Sequence, residues 1–126
     1  MKTQGNNDDF IEFSSSPDTI YGYGFLGGSL EKLAVDGTGL SVAKSTHISG
    51  SAIDFKFENG RIFLPTGQVY NAEAGTLAGT FTLPPQFADY PYAVVPDASV
   101  GRAYFITGPD TSDNVTPRTM TLRAFD

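Results

Sequence analysis

Residues 53–64 read Ile53-Asp54-Phe55-Lys56-Phe57-Glu58-Asn59-Gly60-Arg61-Ile62-Phe63-Leu64, and this stretch decides the fold class. Ile53, Phe55 and Phe57 alternate with Asp54, Lys56 and Glu58, so a strand here has one apolar and one wet face. Asn59-Gly60 follows directly. A type I′ turn needs positive φ at both central positions, which Asn and Gly adopt at low cost, so a tight hairpin into Arg61-Ile62-Phe63-Leu64 is expected.

The same phrase recurs on either side. Ile11-Glu12-Phe13 leads through Ser16-Pro17-Asp18 into Thr19-Ile20-Tyr21-Gly22, and Ala93-Val94-Val95 leads through Pro96-Asp97 into Gly101-Arg102-Ala103-Tyr104-Phe105-Ile106. Pro presets φ and Asp offers a side-chain acceptor to the backbone, so both Pro-Asp pairs read as turns. Ile20, Ile62 and Ala103 are spaced by 42 and 41 residues. Third strands follow at Leu33-Ala34-Val35-Asp36, Val69-Tyr70-Asn71 and Leu122-Arg123-Ala124-Phe125-Asp126. Fourth strands follow at Gly39-Leu40-Ser41-Val42 and within Gly75–Leu83, where Phe81 and Leu83 alternate with Thr80 and Thr82. The one short helical candidate, Ser29-Leu30-Glu31-Lys32-Leu33-Ala34-Val35, lies between glycines and is read as strand by its place in the repeat.

A period near 41 residues with four short strands per unit indicates an all-β fold of β-propeller type, with four-stranded antiparallel blades and about three blades in the chain. The other all-β arrangement, a sandwich, gives no reason for one phrase to recur at that spacing. The units are expected at residues 10–50, 51–91 and 92–126, the last lacking a fourth strand, after a leader at residues 1–9 that has no apolar stretch and no signal-peptide pattern.

Composition narrows the function classes. The chain of 126 residues has no Cys, which excludes disulfide scaffolds, Cys-based zinc sites and thiol catalysis. Its net charge of −6 argues against a nucleic-acid or anionic-membrane surface. Its apolar residues are too scattered for a membrane span.

The phrases Pro96-Asp97…Gly101-Arg102-Ala103-Tyr104-Phe105 and Gly60-Arg61-Ile62-Phe63 resemble bacterial propeller blades of the broad YVTN and PQQ-like type. Gly67-Gln68-Val69-Tyr70-Asn71-Ala72-Glu73-Ala74-Gly75-Thr76-Leu77 resembles the turn step of the same blades. The resemblance spans Phe10 to Asp126 and implies a fold rather than an activity. The chain has no Trp, so the Trp-docking pattern of quinoprotein blades is absent, and no WD or kelch pattern replaces it. No cofactor is expected.

Three incomplete blades leave two apolar end faces and an open edge, and propellers close at about four to eight blades. The expected partner is therefore a second copy of the chain, giving a six-bladed homodimer with the edge after Phe125 near the partner, or else the remainder of a longer propeller. Phe105 is expected on a blade face that a partner covers.

Residue constellations that would carry chemistry are weak. Gly22-Tyr23-Gly24-Phe25-Leu26-Gly27 matches the dinucleotide fingerprint, but that mechanism needs a helix next and an acid further on than Asp36, so a turn between strands is expected. His47 is the only histidine. Ser45, Ser49 and Ser51 lie nearby, yet there is no nucleophile elbow, and a solvated strand end is expected. Neither catalytic nor metal-binding residues are assigned. Asp110-Thr111-Ser112-Asp113-Asn114 is a polar hairpin loop whose oxygens would suit a hard cation, but it lacks the Gly and Glu of an EF-hand. Asn114-Val115-Thr116 fits a glycosylation sequon. Tyr21, Tyr23, Phe25, Phe63, Tyr70, Tyr104 and Phe105 are expected in inter-blade core, and Tyr90 and Tyr92, in the connection between units, are expected as an exposed aromatic patch. Candidate binding residues are thus Tyr90, Tyr92, Asp110, Asp113 and Asn114.

Two functional readings follow, beside the reading of an excised or engineered propeller fragment. One is a non-catalytic interaction and assembly module. The other is a hydrolase- or lyase-like enzyme whose site forms on the axis of an assembled propeller.

Overall fold

The computed structural model describes residues 10–24, 28–48, 54–85, 90–109 and 119–126. Its elements are all strands, in three antiparallel sheets. Sheet 1 is β1 (Phe10–Phe13), β2 (Thr19–Gly24), β3 (Ser29–Asp36) and β4 (Gly39–His47). Sheet 2 is β5 (Lys56–Glu58), β6 (Arg61–Phe63), β7 (Gln68–Asn71) and β8 (Leu77–Thr80). Sheet 3 is β9 (Tyr90–Asp97), β10 (Arg102–Gly108) and β11 (Thr121–Phe125). In each, strands are hydrogen-bonded in chain order, so every sheet is a meander. The expected all-β class holds, with antiparallel sheets of four, four and three strands, and the three sheets do not close into a ring.

The repeat anchors fall at equivalent places. Ile20 pairs with Phe13, Ile62 with Phe57 and Ala103 with Pro96, each across the first hairpin of its sheet. The Asn59-Gly60 turn has φ of +47° and +74°, the type I′ geometry expected of it. Ser29–Asp36 is a strand, as its repeat position predicts.

Four boundaries differ from the sequence reading. Asp54 and Phe55 precede β5 rather than forming it, and Ile53 lies outside the described residues. Pro96 and Asp97 are the last two residues of β9, not its turn. β9 has β10 as its partner and an edge on its other side, where a strand tolerates the missing N–H of Pro91 and Pro96. Asp97 caps the turn that follows, its Oδ1 accepting from Ser99 N (3.0 Å) and Ser99 Oγ (2.5 Å). β9 also starts at Tyr90, inside the stretch read as the end of the second unit. Finally, β8 stops at Thr80. Phe81 N donates to Gly67 O (2.8 Å), and Phe81 and Leu83 leave the sheet to pack on sheet 3. Gly67, at φ +93°, lets the chain pass this close: a Cβ there would press into the Phe81 carbonyl.

Two cores hold the sheets face to face. Between sheets 1 and 2 lie Tyr21, Tyr23, Leu30, Ile48, Phe55, Ile62, Leu64 and Tyr70, with Tyr21 stacked on Phe57 at 5.3 Å. Between sheets 2 and 3 lie Val94, Ala103 and Phe105, against Phe63, Phe81, Leu83 and Phe125. Aromatics contribute to both, as expected for Tyr21, Tyr23, Phe63, Tyr70 and Phe105, whereas Tyr104, expected with them, is half-buried on the opposite face of sheet 3, because it is one residue from Ala103 and Phe105 along the strand. Phe25 lies outside the described residues. Phe105, expected on a face for a partner to cover, is instead fully buried inside the chain, because Phe81 and Phe125 pack edge-on against it.

Candidate functional site

The outward face of sheet 1 carries exposed apolar side chains and has no described sheet packed against it. Its strand registers align Phe13, Ile20, Leu33 and Val42 in one row across β1, β2, β3 and β4. Directly paired residues put their side chains on the same face of a sheet. Tyr21 and Lys32, the neighbours of Ile20 and Leu33, point the other way, to sheet 2. Phe13 (75% exposed) and Ile11 on β1, and Leu40 and Val42 on β4, are exposed at the two edges of this face, whereas Ile20 is half-buried and Leu33, at its centre, is only 5% exposed. Side chains of this size cost free energy when left in water, so the exposed apolar groups on β1 and β4 mark an interaction surface.

The outward face of sheet 3 is its counterpart. Val95, Tyr104 and Ala124 form one row and Ala93, Ile106 and Leu122 the next. Val95 and Leu122 are exposed, and Tyr104 and Ile106 are half-buried. At one edge of this face Arg102 Nε bonds Asp126 Oδ1 at 2.6 Å, which raises the guanidinium pKa.

A third feature is a cleft of about 380 Å³ between sheets 2 and 3, on the side of the β5–β6 and β9–β10 turns. Phe63 and Phe81 contribute apolar walls, and Glu58, Arg61, Asp97 and Arg102 contribute charge. Two of those charges are already engaged. Asp97 is held by Ser99, which lowers its pKa, and Arg102 by Asp126. The cleft is open and its charges are mixed in sign.

The residues singled out from sequence are not brought together. Tyr90 and Tyr92 lie on β9, half-buried, with their rings edge to face at 5.2 Å, so they are not an exposed patch in a connection. Tyr92 Oη donates to Pro109 O (2.6 Å), tying the start of the β10–β11 hairpin to the sheet. Asp110, Asp113 and Asn114 lie outside the described residues. His47 is exposed at the last position of β4, as expected. In the glycine-rich match, Gly22 and Gly24 are strand residues and Tyr23 is core, and β3 stands where the dinucleotide mechanism needs a helix. Among the described residues no three His, Asp or Glu side chains converge, and no helix is long and apolar enough to cross a membrane.

Sequence reasoning missed the ionic rims of the first core. Lys32 Nζ bonds Glu73 at 2.6 Å, and Lys44 Nζ donates to the carbonyls of Glu73 (3.2 Å) and Ala74 (2.6 Å), joining the outer strands of sheet 1 to the β7–β8 turn. At the opposite edge Lys56 Nζ bonds Glu12 (2.6 Å) and Asp54 (3.1 Å). Burial pulls the Lys56 pKa down, but these two bonds outweigh it and the net shift is upward. The signal was present, since Lys32 and Glu73 are 41 residues apart, close to the repeat period.

No protein-family model matches the chain, and no curated protein matches it.

Proposed function

We propose that the chain is a non-catalytic assembly module of β-propeller type, whose end sheets present apolar faces on which further sheets stack. The resemblance of its repeats to YVTN and PQQ-like blades supports this reading. So do three successive meanders packed face to face with their first strands side by side. The single observation that carries it is the exposure of Phe13 and Val42 at the two ends of the in-register row Phe13–Ile20–Leu33–Val42, on a face against which no described sheet packs.

The test is a mass in solution. Light scattering at micromolar concentration is expected to give a multiple of 13.4 kDa. A mass of one chain, together with a cooperative melt, would show that the end faces are stable in water and overturn the reading.

A further inference from the structure

Resting on that reading, we infer that the partner is a second copy of this chain, docked head to tail. The Tyr104 face of sheet 3 in one copy covers the Phe13 face of sheet 1 in the next.

The chain contains the template for this contact twice. Each sheet has a backward face, carrying the repeat anchor, and a forward face, carrying the residue one place on. The backward row of sheet 2, Phe57–Ile62–Tyr70, is covered by sheet 1, and that of sheet 3, Pro96–Ala103–Phe125, is covered by sheet 2. Phe13–Ile20–Leu33–Val42 is the same row in sheet 1, with its edge members Phe13 and Val42 exposed, and no described sheet lies behind it. The forward faces tell the complementary story. Tyr21 of sheet 1 and Phe63 of sheet 2 follow the anchors Ile20 and Ile62, and each packs on the core toward the next sheet. Tyr104 follows the anchor Ala103 in the same way, and no described sheet lies in front of it.

The two free faces are therefore the two halves of one repeated interface. What sheet 1 lacks is a forward face, and the forward face without a partner is that of sheet 3. Continuity with the interfaces already formed thus selects a second copy over an unrelated apolar partner, and a forward-to-backward contact over two identical faces meeting. It also selects the ring pairing. Tyr21 stacks on Phe57, its rings 5.3 Å apart and 16° from parallel. The equivalent pair across the new contact is Tyr104 of one copy on Phe13 of the other. A heterologous contact of this kind closes into a ring when the rotation permits, and two copies supply six sheets.

Complementation tests it. Phe13→Asp spoils only the backward face and Leu122→Asp only the forward face, at side chains 75% and 68% exposed in the single chain. Each variant alone is expected to fall to the mass of one chain with an unchanged circular dichroism spectrum. An equimolar mixture is expected to return to the mass of two, because the forward face of one and the backward face of the other remain intact. If the unsubstituted chain assembles but the mixture does not recover, the head-to-tail contact is wrong while the assembly reading stands. If one variant dissociates and the other assembles as before, like faces meet and the inference is overturned. A single-chain mass for the unsubstituted protein removes both. Should either Asp variant lose its fold, cysteine pairing replaces it in this Cys-free chain. Phe13→Cys mixed with Tyr104→Cys is expected to oxidise to the mixed dimer in preference to either self-pair, and equal or dominant self-pairing would count against the contact.

Discussion

Sheet 1 is apolar on both faces, yet the two faces have different fates. On the side toward sheet 2, Tyr23 is fully buried and its ring meets Phe55 edge-on at 6.3 Å; on the other side, Phe13 is three-quarters exposed. Residue type does not separate them, since each side offers aromatics and branched aliphatics at strand spacing. The difference lies in what stands opposite and what closes the rim. The covered face has Lys32, Lys44 and Glu73 along the outer strands and Lys56 with Glu12 along the inner ones. The contact is thus an apolar centre with ionic edges, which fixes how one sheet sits on the next without burying a charge at the centre.

The covered face of sheet 1 is the more sensitive to substitution. Phe55→Ala removes a fully buried ring from the first core, and a loss of about 3–5 kcal/mol of unfolding free energy is expected. Phe13→Ala, measured by urea denaturation at a concentration low enough to keep copies apart, is expected to change stability by less than about 0.5 kcal/mol. Comparable losses from the two would mean that the outward face is covered within the chain. Phe105→Asp belongs with Phe55 in this contrast. It places a charge between sheets 2 and 3, so it unfolds the chain rather than dissociating copies.

How far this was legible in the sequence depends on which interactions are local. The hairpin at Asn59-Gly60 was readable because backbone φ preference is a property of two adjacent residues. The spacing of Ile20, Ile62 and Ala103 was readable because equivalent sheets repeat their anchors. The length of β9 and the departure of Phe81 from β8 were not, since both follow from which edge is unpaired and which core lies nearest. A proline normally ends a strand, and Pro96 does not because the edge beyond β9 is open. For the same reason Tyr90 and Tyr92 read as loop residues. The candidate site was legible only as a missing neighbour, and choosing the row that lacks one required the strand registers.

Gly60 has open space where a Cβ would stand, so any penalty at this position is conformational and not steric crowding. Gly60→Val, at φ +74°, is expected to cost about 1–2 kcal/mol in urea denaturation, because a β-branched residue strongly disfavours positive φ. It should leave the outward faces, and hence the mass of any assembly, unaltered. An unchanged midpoint would mean that the turn relaxes to another type without loss.

The smallest expected effect is on the ionic rim, where both partners reach solvent and salt screens them. The hydrogen bond from Lys32 lowers the Glu73 pKa, and Asp36 and Asp97 are lowered by bonds from Thr38 and Ser99. A lowered native pKa means the unfolded chain binds protons more readily. The stabilisation is therefore complete above the ordinary carboxylate range, near pH 4, and is lost as pH falls through the native values. Lys32 carries the opposite sign: its pKa is raised, so its share is present at neutral pH and lost only at strongly alkaline pH. Glu73→Gln should accordingly sit slightly below the unsubstituted chain in denaturation midpoint at pH 7. The gap should narrow toward zero on acidification, and shrink at neutral pH when salt is added. A gap that stays constant from pH 7 to about pH 3 would assign the effect to the shape of the β7–β8 turn, where the Asn71 side chain already accepts from Ala74 N at 2.7 Å, instead of to charge across the rim.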